Sequence, residues 1–151
     1  MWHFGRLYAI TNRVNHPFHQ RVFHFLMKTI VIVPAFNESQ KVVAVIKDLK
    51  SHGHRSIVVI DDGSSDGTGE KAKKAGVKVL RHVMNRGLGA ALGTGFAYAK
   101  ENNADLLITF DADGQHQAKD LENLTKAIKK NKADVVIGSR NIDVKKIPKD
   151  R

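Results

Sequence analysis

Two aspartates one residue apart stand at the abrupt end of an apolar run: Ile108 to His116 reads ITFDADGQH. Asp111 and Asp113 are hard oxygen ligands, and Gln115 offers an amide oxygen two residues on. Such a set suits Mg²⁺ or Mn²⁺, which keep several waters and share one or two carboxylates with substrate phosphates. The plainer alternative is that one aspartate caps a helix or turns the chain, for which Gly114 is well placed. For a lone D-x-D that alternative would win, but other segments of similar character accompany this one.

DDGSSDGT (61–68) imitates a calcium loop, with Asp62, Ser64, Asp66 and Gly67 at its first, third, fifth and sixth positions. The twelfth position, where a bidentate Glu is required, is Lys73, so the calcium reading fails. Asp61 and Asp62 could instead accept hydrogen bonds from a nucleobase or ribose, with Gly63 and Gly67 letting the backbone turn closely. A turn with a helix cap at Asp66 or Thr68 explains the same residues and is compatible with that role. NRGLGAALGTG (85–95) brings four glycines to the start of a helix. They permit close approach of a ligand or of a neighbouring strand, and Arg86 could meet a diphosphate. PAFNE (34–38) and SRN (139–141) complete the set, with Arg140 a candidate for a second anion. His116 reads as a polar neighbour of the site, not as its general base. Neither G-x-G-x-x-G after the first strand nor G-x-x-x-x-G-K-[ST] occurs, which disfavours dinucleotide oxidoreductases and P-loop NTPases.

All five segments follow short β-branched runs. TIVIV (29–33), SIVVI (56–60), VKVL (77–80), DLLITF (105–110) and DVVIG (134–138) read as strands of a sheet covered on both faces. Between them Ser39–Ser51, Thr68–Ala75, Leu88–Glu101 and Lys119–Lys130 carry apolar residues at helical spacing. Strand, helix, strand in repetition predicts an α/β, three-layer α/β/α sandwich with a mostly parallel sheet and right-handed crossovers. Ligands of such sheets lie beyond the carboxyl ends of the strands, so the five segments should share one rim.

The 151 residues allow one domain with a proper core. The absence of cysteine excludes disulfides, thiolate metal sites and cysteine nucleophiles, and no run approaches the roughly 20 apolar residues of a membrane span. The formal net charge of +10 is uneven: residues 1–28 hold four basic residues and no acid. That balance suits an anionic partner such as a nucleotide diphosphate, a lipid phosphate, a membrane surface or nucleic acid. Residues 1–26 are rich in His, Arg and aromatics, with Phe4, Leu7, Tyr8, Val14, Phe18, Val22 and Phe25 at nearly helical spacing broken by Pro17. They read as an extension, poorly ordered or lying on a membrane surface, before a domain at 27–141 and a basic tail at 142–151.

VIVPAFNE, VVIDDGSSDGT, NRGLGAALGTGF, FDADGQH and VIGSR together resemble, in order and spacing, glycosyltransferase family 2, and within it the dolichyl- or polyprenyl-phosphate mannose and glucose synthases. The resemblance covers roughly Lys28 to Asn141. It implies a GT-A fold that transfers a hexose, with inversion, from a GDP- or UDP-sugar to a polyprenyl phosphate, at the cytoplasmic face of a membrane and without nucleic acid. By matching positions, Pro34, Phe36 and Glu38, with Asp61 or Asp62, would hold the nucleotide. Arg86 would lie near the diphosphate, Asp111, Asp113 and Gln115 would bind the metal, and Arg140 would approach the acceptor phosphate. Departure of a nucleotide diphosphate develops negative charge that a divalent ion at the two aspartates would stabilise, so Asp111 and Asp113 are the expected catalytic pair. Two other readings compete. One is a non-catalytic or partner-dependent nucleotide-sugar-binding subunit, suggested by family members that continue beyond GSR. The other is a phosphatase of the haloacid-dehalogenase type, whose first motif is also a strand followed by D-x-D-G.

Overall fold

The computed structural model describes residues 7–11, 27–129 and 133–138. The elements run β1 (Leu7–Thr11), β2 (Thr29–Ala35), α1 (Val42–Ser51), β3 (Ile57–Asp61), α2 (Thr68–Lys74), β4 (Lys78–Arg81), α3 (Leu88–Glu101) and β5 (Leu106–Thr109). After a 3-10 turn at Ala118–Asp120 come α4 (Leu121–Lys129) and β6 (Val135–Gly138). One six-stranded sheet has the order β4-β3-β2-β5-β1-β6. The pairs β2–β3, β2–β5 and β3–β4 are parallel, so these four strands end on one rim as expected.

Alternation along the strands assigns the two faces. Val31, Val33, Val59, Leu106, Ile108 and Phe110 point to one side and are buried with Val42, Val45, Ile46 and Leu49 of α1, Ala72 of α2, and Leu121 and Ile128 of α4. Ile30, Ile32, Val58, Ile60 and Leu107 point to the other side, where Ala91 and Ala99 of α3 cover them. α1 sits on the sheet because its apolar residues recur at three- and four-residue spacing along one stripe. α3 approaches closely because its stripe is small: a Cβ at Gly95 would run into Ile32 Cγ2. The glycines of NRGLGAALGTG therefore divide, since Gly89 and Gly93 have nothing within 4 Å of a Cβ position.

Two strands differ from expectation. Leu7–Thr11, inside the stretch expected to stand apart from the sheet, is a strand antiparallel to both β5 and β6, with Tyr8 opposite Thr109 and Ile137. LYAIT is rich in strand-forming residues, and pairing with β5, distant in sequence, overrides a helical spacing that local pattern alone suggests. DVVIG, expected to be fully buried, is an edge strand: Val136 packs on the core while Val135 and Ile137 are half exposed. α1 also begins later than expected, because residues 39–41 form a turn in which the Glu38 carbonyl accepts from Lys41 N–H and Val42 N–H. Arg140, SRN and the basic tail lie outside the described residues.

Candidate functional site

Four of the five rim segments, all but SRN, meet in a cleft of about 480 Å³, counting its open mouth. Pro34, Ala35, Phe36 and Glu38 form one wall, Asp62 with Leu88 and Ala91 of α3 another, and Asp111, Ala112 and Asp113 a third. Arg86 and Gln115 are exposed and stand outside this lining, as does the buried Asp61.

The PAFNE wall is held by the loop after β3. Asn37 adopts a left-handed conformation, φ 55°, which asparagine tolerates better than most residues. Its Oδ1 accepts from Ser65 N–H at 3.0 Å, and its own N–H donates to Ser64 Oγ at 3.0 Å. Glu38 N–H donates to Thr68 Oγ1 at 2.9 Å and Ser39 N–H to Asp66 Oδ2 at 2.9 Å. Asp66 Oδ1 also accepts from Thr68 N–H at 3.0 Å, the turn that was expected, while the N-cap of α2 is Gly67 and not Asp66 or Thr68. Burial alone would raise the Asp66 pKa, but hydrogen bonds from Thr68 and Ser39 hold it down at about 2. Gly63, at φ 74°, makes room for backbone: a Cβ there would lie 2.5 Å from the carbonyl carbon of Met84.

The adjacent aspartates of DDGSSDGT take opposite sides of the sheet. Asp61, 0% exposed, faces α2. Its Oδ1 accepts from Ser64 N–H at 2.9 Å, and its Oδ2 lies 3.4 Å from Arg81 Nε with no hydrogen-bond donor among the described residues. Arg81 also donates to Glu70 Oε1 and to the Ser64 carbonyl, each at 2.7 Å. A Cβ at Gly69 would collide with Asp61 Oδ2. Asp61 is thus a framework group.

Asp62, on the α3 side, accepts at Oδ1 from Arg86 N–H at 3.0 Å and at Oδ2 from Gly87 N–H at 2.8 Å, with His82 Nδ1 2.6 Å from Oδ1. Burial would raise its pKa; the two amides and His82 outweigh it and lower it. His82 and Thr94 were not legible as site-supporting residues. The only sequence signal is a histidine just past the end of β4, on a rim already crowded with polar groups.

Asp111 and Asp113 remain comparatively free. Asp113 Oδ1 accepts from Gln115 N–H at 2.9 Å, a local turn that occupies one oxygen. Asp111 Oδ2 lies 3.5 Å from Nε2 of His116, whose ring packs edge-on against Phe110 at 5.7 Å. His116 is therefore the neighbour of Asp111. The DADGQH loop is tied down where Ala118 N–H donates to Asp48 Oδ2 on α1 at 2.9 Å. Among the described residues no three His, Asp or Glu side chains converge as a self-sufficient metal cage. Two cleft-facing carboxylates with oxygens to spare do fit a divalent ion that takes its other ligands from water and phosphate.

A mostly parallel sheet between helices, with its cleft at the carboxyl ends of the strands, is common to open α/β folds, and the solved structures this one resembles make it a GT-A fold. The structure resembles glucosyl-3-phosphoglycerate synthase from Mycobacterium tuberculosis, solved with Mn²⁺, uridine diphosphate and glucosyl-3-phosphoglycerate, with a TM-score of 0.59 at 22% identity. That match covers 68% of this chain and 39% of the other, and shows the fold. The family description "Glycosyl transferase family 2" matches residues 30–150, and the chain belongs to that family. It is 34% identical to the UDP-N-acetylglucosamine–dolichyl-phosphate N-acetylglucosaminyltransferase of Methanococcus voltae, over 73% of this chain and 51% of that protein. It is 36% identical to the undecaprenyl-phosphate mannosyltransferase of Micrococcus luteus, over 77% and 49%. The chain spans about half the length of these curated relatives. Membership of this family replaces the phosphatase reading of DADG.

Proposed function

We propose that this chain carries the donor-binding and metal-binding face of a glycosyltransferase that moves a hexose from a nucleotide diphosphate to a polyprenyl phosphate with inversion. The observation that carries this reading is the meeting of Asp111 and Asp113 with Asp62, Glu38 and the start of α3 in one cleft. The dolichyl- and undecaprenyl-phosphate relatives support the lipid acceptor. The M. tuberculosis structure with Mn²⁺ and uridine diphosphate supports the metal and the nucleotide.

In this mechanism Pro34, Phe36 and Glu38 hold the nucleoside beside Asp62, whose carboxylate accepts from the base or ribose. The amino-terminal turn of α3 and Arg86 face the diphosphate, where helix-end amides and a guanidinium favour negative charge. Asp111 and Asp113 hold Mg²⁺ or Mn²⁺, which when bound supplies Lewis-acid stabilisation of the departing diphosphate. Arg140, which lies outside the described residues, is assigned to the acceptor phosphate by its motif position alone. That phosphate is already anionic near neutral pH, so no side chain has to remove a proton before attack. His116 stays a neighbour of Asp111 and has no general-base role.

No described helix is long and apolar enough to cross a membrane. A peripheral position at the cytoplasmic face fits a lipid acceptor. Exposed apolar side chains on the loop entering α3 support it, with Val83 100% and Met84 67% exposed.

The test is sugar transfer by the chain, using radiolabelled UDP- or GDP-hexose, Mn²⁺ and polyprenyl phosphate in lipid vesicles. Labelled lipid product is the expected result. Nucleotide binding without product would favour the partner-dependent reading, and the absence of both would remove the proposal.

A further inference from the structure

A chain of three side chains, Asp62 and His82 buried and Thr94 partly buried, runs back from the cleft wall. His82 Nδ1 is 2.6 Å from Asp62 Oδ1, and His82 Nε2 is 2.8 Å from Thr94 Oγ1. Asp62 is 2% and His82 9% exposed, so these contacts form largely out of water, where hydrogen bonds to charge are strong and lost partners are costly. The Asp62 carboxylate can only accept, which places a proton on Nδ1. In the neutral imidazole Nε2 then accepts from the Thr94 hydroxyl.

The chain joins three elements. Asp62 follows β3 and Thr94 lies on α3. His82 follows β4, with its own N–H donating to the Asp61 carbonyl at 2.9 Å. Thr94 sits three residues after Ala91, on the same side of the helix, and Ala91 lines the cleft with Leu88. The Asp62 carboxylate is nearly saturated: Oδ1 meets Arg86 N–H and His82, while Oδ2 accepts only from Gly87 N–H among the described residues. A carboxylate offers about four acceptor positions, so about one remains for a ligand, and its direction is set by the other three.

We propose that His82 is a positioning residue of the nucleotide site: its imidazole fixes the rotation of the Asp62 carboxylate and pins α3 beside it, so that both present one rigid edge to the ligand. The inference rests on the nucleotide-binding reading above. His82 touches no ligand and acts through Asp62 and Thr94.

The test measures binding of uridine diphosphate and guanosine diphosphate, with Mn²⁺, to the wild-type chain and to His82→Phe, His82→Asn and Thr94→Val by titration calorimetry. His82→Phe keeps a planar ring and loses both hydrogen bonds. It should bind about tenfold more weakly, the effect expected for loss of one charge-assisted contact. The amide nitrogen of His82→Asn can stand where Nδ1 stood and donate to Asp62, so binding should recover to within about threefold of wild type, while Thr94→Val should lose about threefold. A role in folding alone would lower the melting temperature of both His82 variants and leave the affinity of the folded fraction unchanged. That outcome, or a His82→Asn as impaired as His82→Phe, would overturn the proposal.

Amide exchange at Arg86 and Gly87 separates the two ideas. If wild type binds neither nucleotide, the nucleotide reading fails. The lock itself still stands if protection at these amides falls in His82→Phe and returns in His82→Asn, and it fails if protection is the same in all three.

Discussion

The molecule places two pairs of aspartates at the ends of parallel strands and uses them in opposite ways. Asp61 and Asp62 are held by the fold: one faces Arg81 beneath α2, and the other, on the cleft wall, gathers two backbone amides and His82 and keeps about one acceptor position. Asp111 and Asp113 stand on the cleft with one local hydrogen bond and one imidazole between them. The same residue type at the same place in the architecture is largely engaged by neighbouring groups in one loop and largely unengaged in the other. What differs is the supply of nearby donors. The loop after β3 folds against two neighbouring loops that must have their amides satisfied, whereas the loop after β5 closes mostly on itself.

The largest effect should come from breaking the framework pair. Asp61→Ala removes a fully buried charge partner of Arg81 and the acceptor for Ser64 N–H. It should cost about 2–4 kcal/mol of stability in urea unfolding, because it disrupts a charge pair and a buried hydrogen bond together. Asp111→Asn, by contrast, should change stability by no more than about 0.5 kcal/mol, as for other sites outside a packed network. Equal losses for the two variants would erase the distinction drawn between the pairs.

A smaller effect should appear in acid. Asp66 has its pKa held at about 2 against an ordinary 3.8, so its ionised form favours the folded chain. That contribution is complete above pH 3.8 and is lost as the pH falls through about 2. Asp66→Asn cannot titrate, so its melting temperature should fall less steeply than that of wild type over this window. Parallel slopes would mean that the Thr68 and Ser39 contacts do not favour the ionised form.

The contrast also shows what a sequence discloses. The strand ends and the span of α3, Leu88–Glu101, were legible because β-branched runs and helical spacing are local signals. The aspartates of ITFDADGQH were legible as rim residues for the same reason, and both line the cleft. The sequence left Asp61 and Asp62 as alternatives, and alternation separates them: Ile60 and Asp62 share the α3 side, while Val59 and Asp61 share the other. Arg86 was expected at the diphosphate by its side chain; what the sequence did not disclose is that its backbone N–H donates to Asp62. β1 was not legible, since five residues that pair with β5 and β6 carry no local mark of that partnership. His82 escaped notice because its importance arises only when Asp62 and Thr94 are brought to either side of its ring.

Asp111 and Asp113 are proposed to hold a divalent ion against a bound nucleoside diphosphate. Electron paramagnetic resonance of Mn²⁺ tests it directly, by comparing the wild-type chain with the Asp111→Asn, Asp113→Asn double variant in the presence of uridine or guanosine diphosphate. The account predicts that wild type withdraws Mn²⁺ from solution beyond the nucleotide's own binding, and that the folded double variant adds nothing to the nucleotide control. Equal withdrawal of Mn²⁺ by both proteins would contradict it.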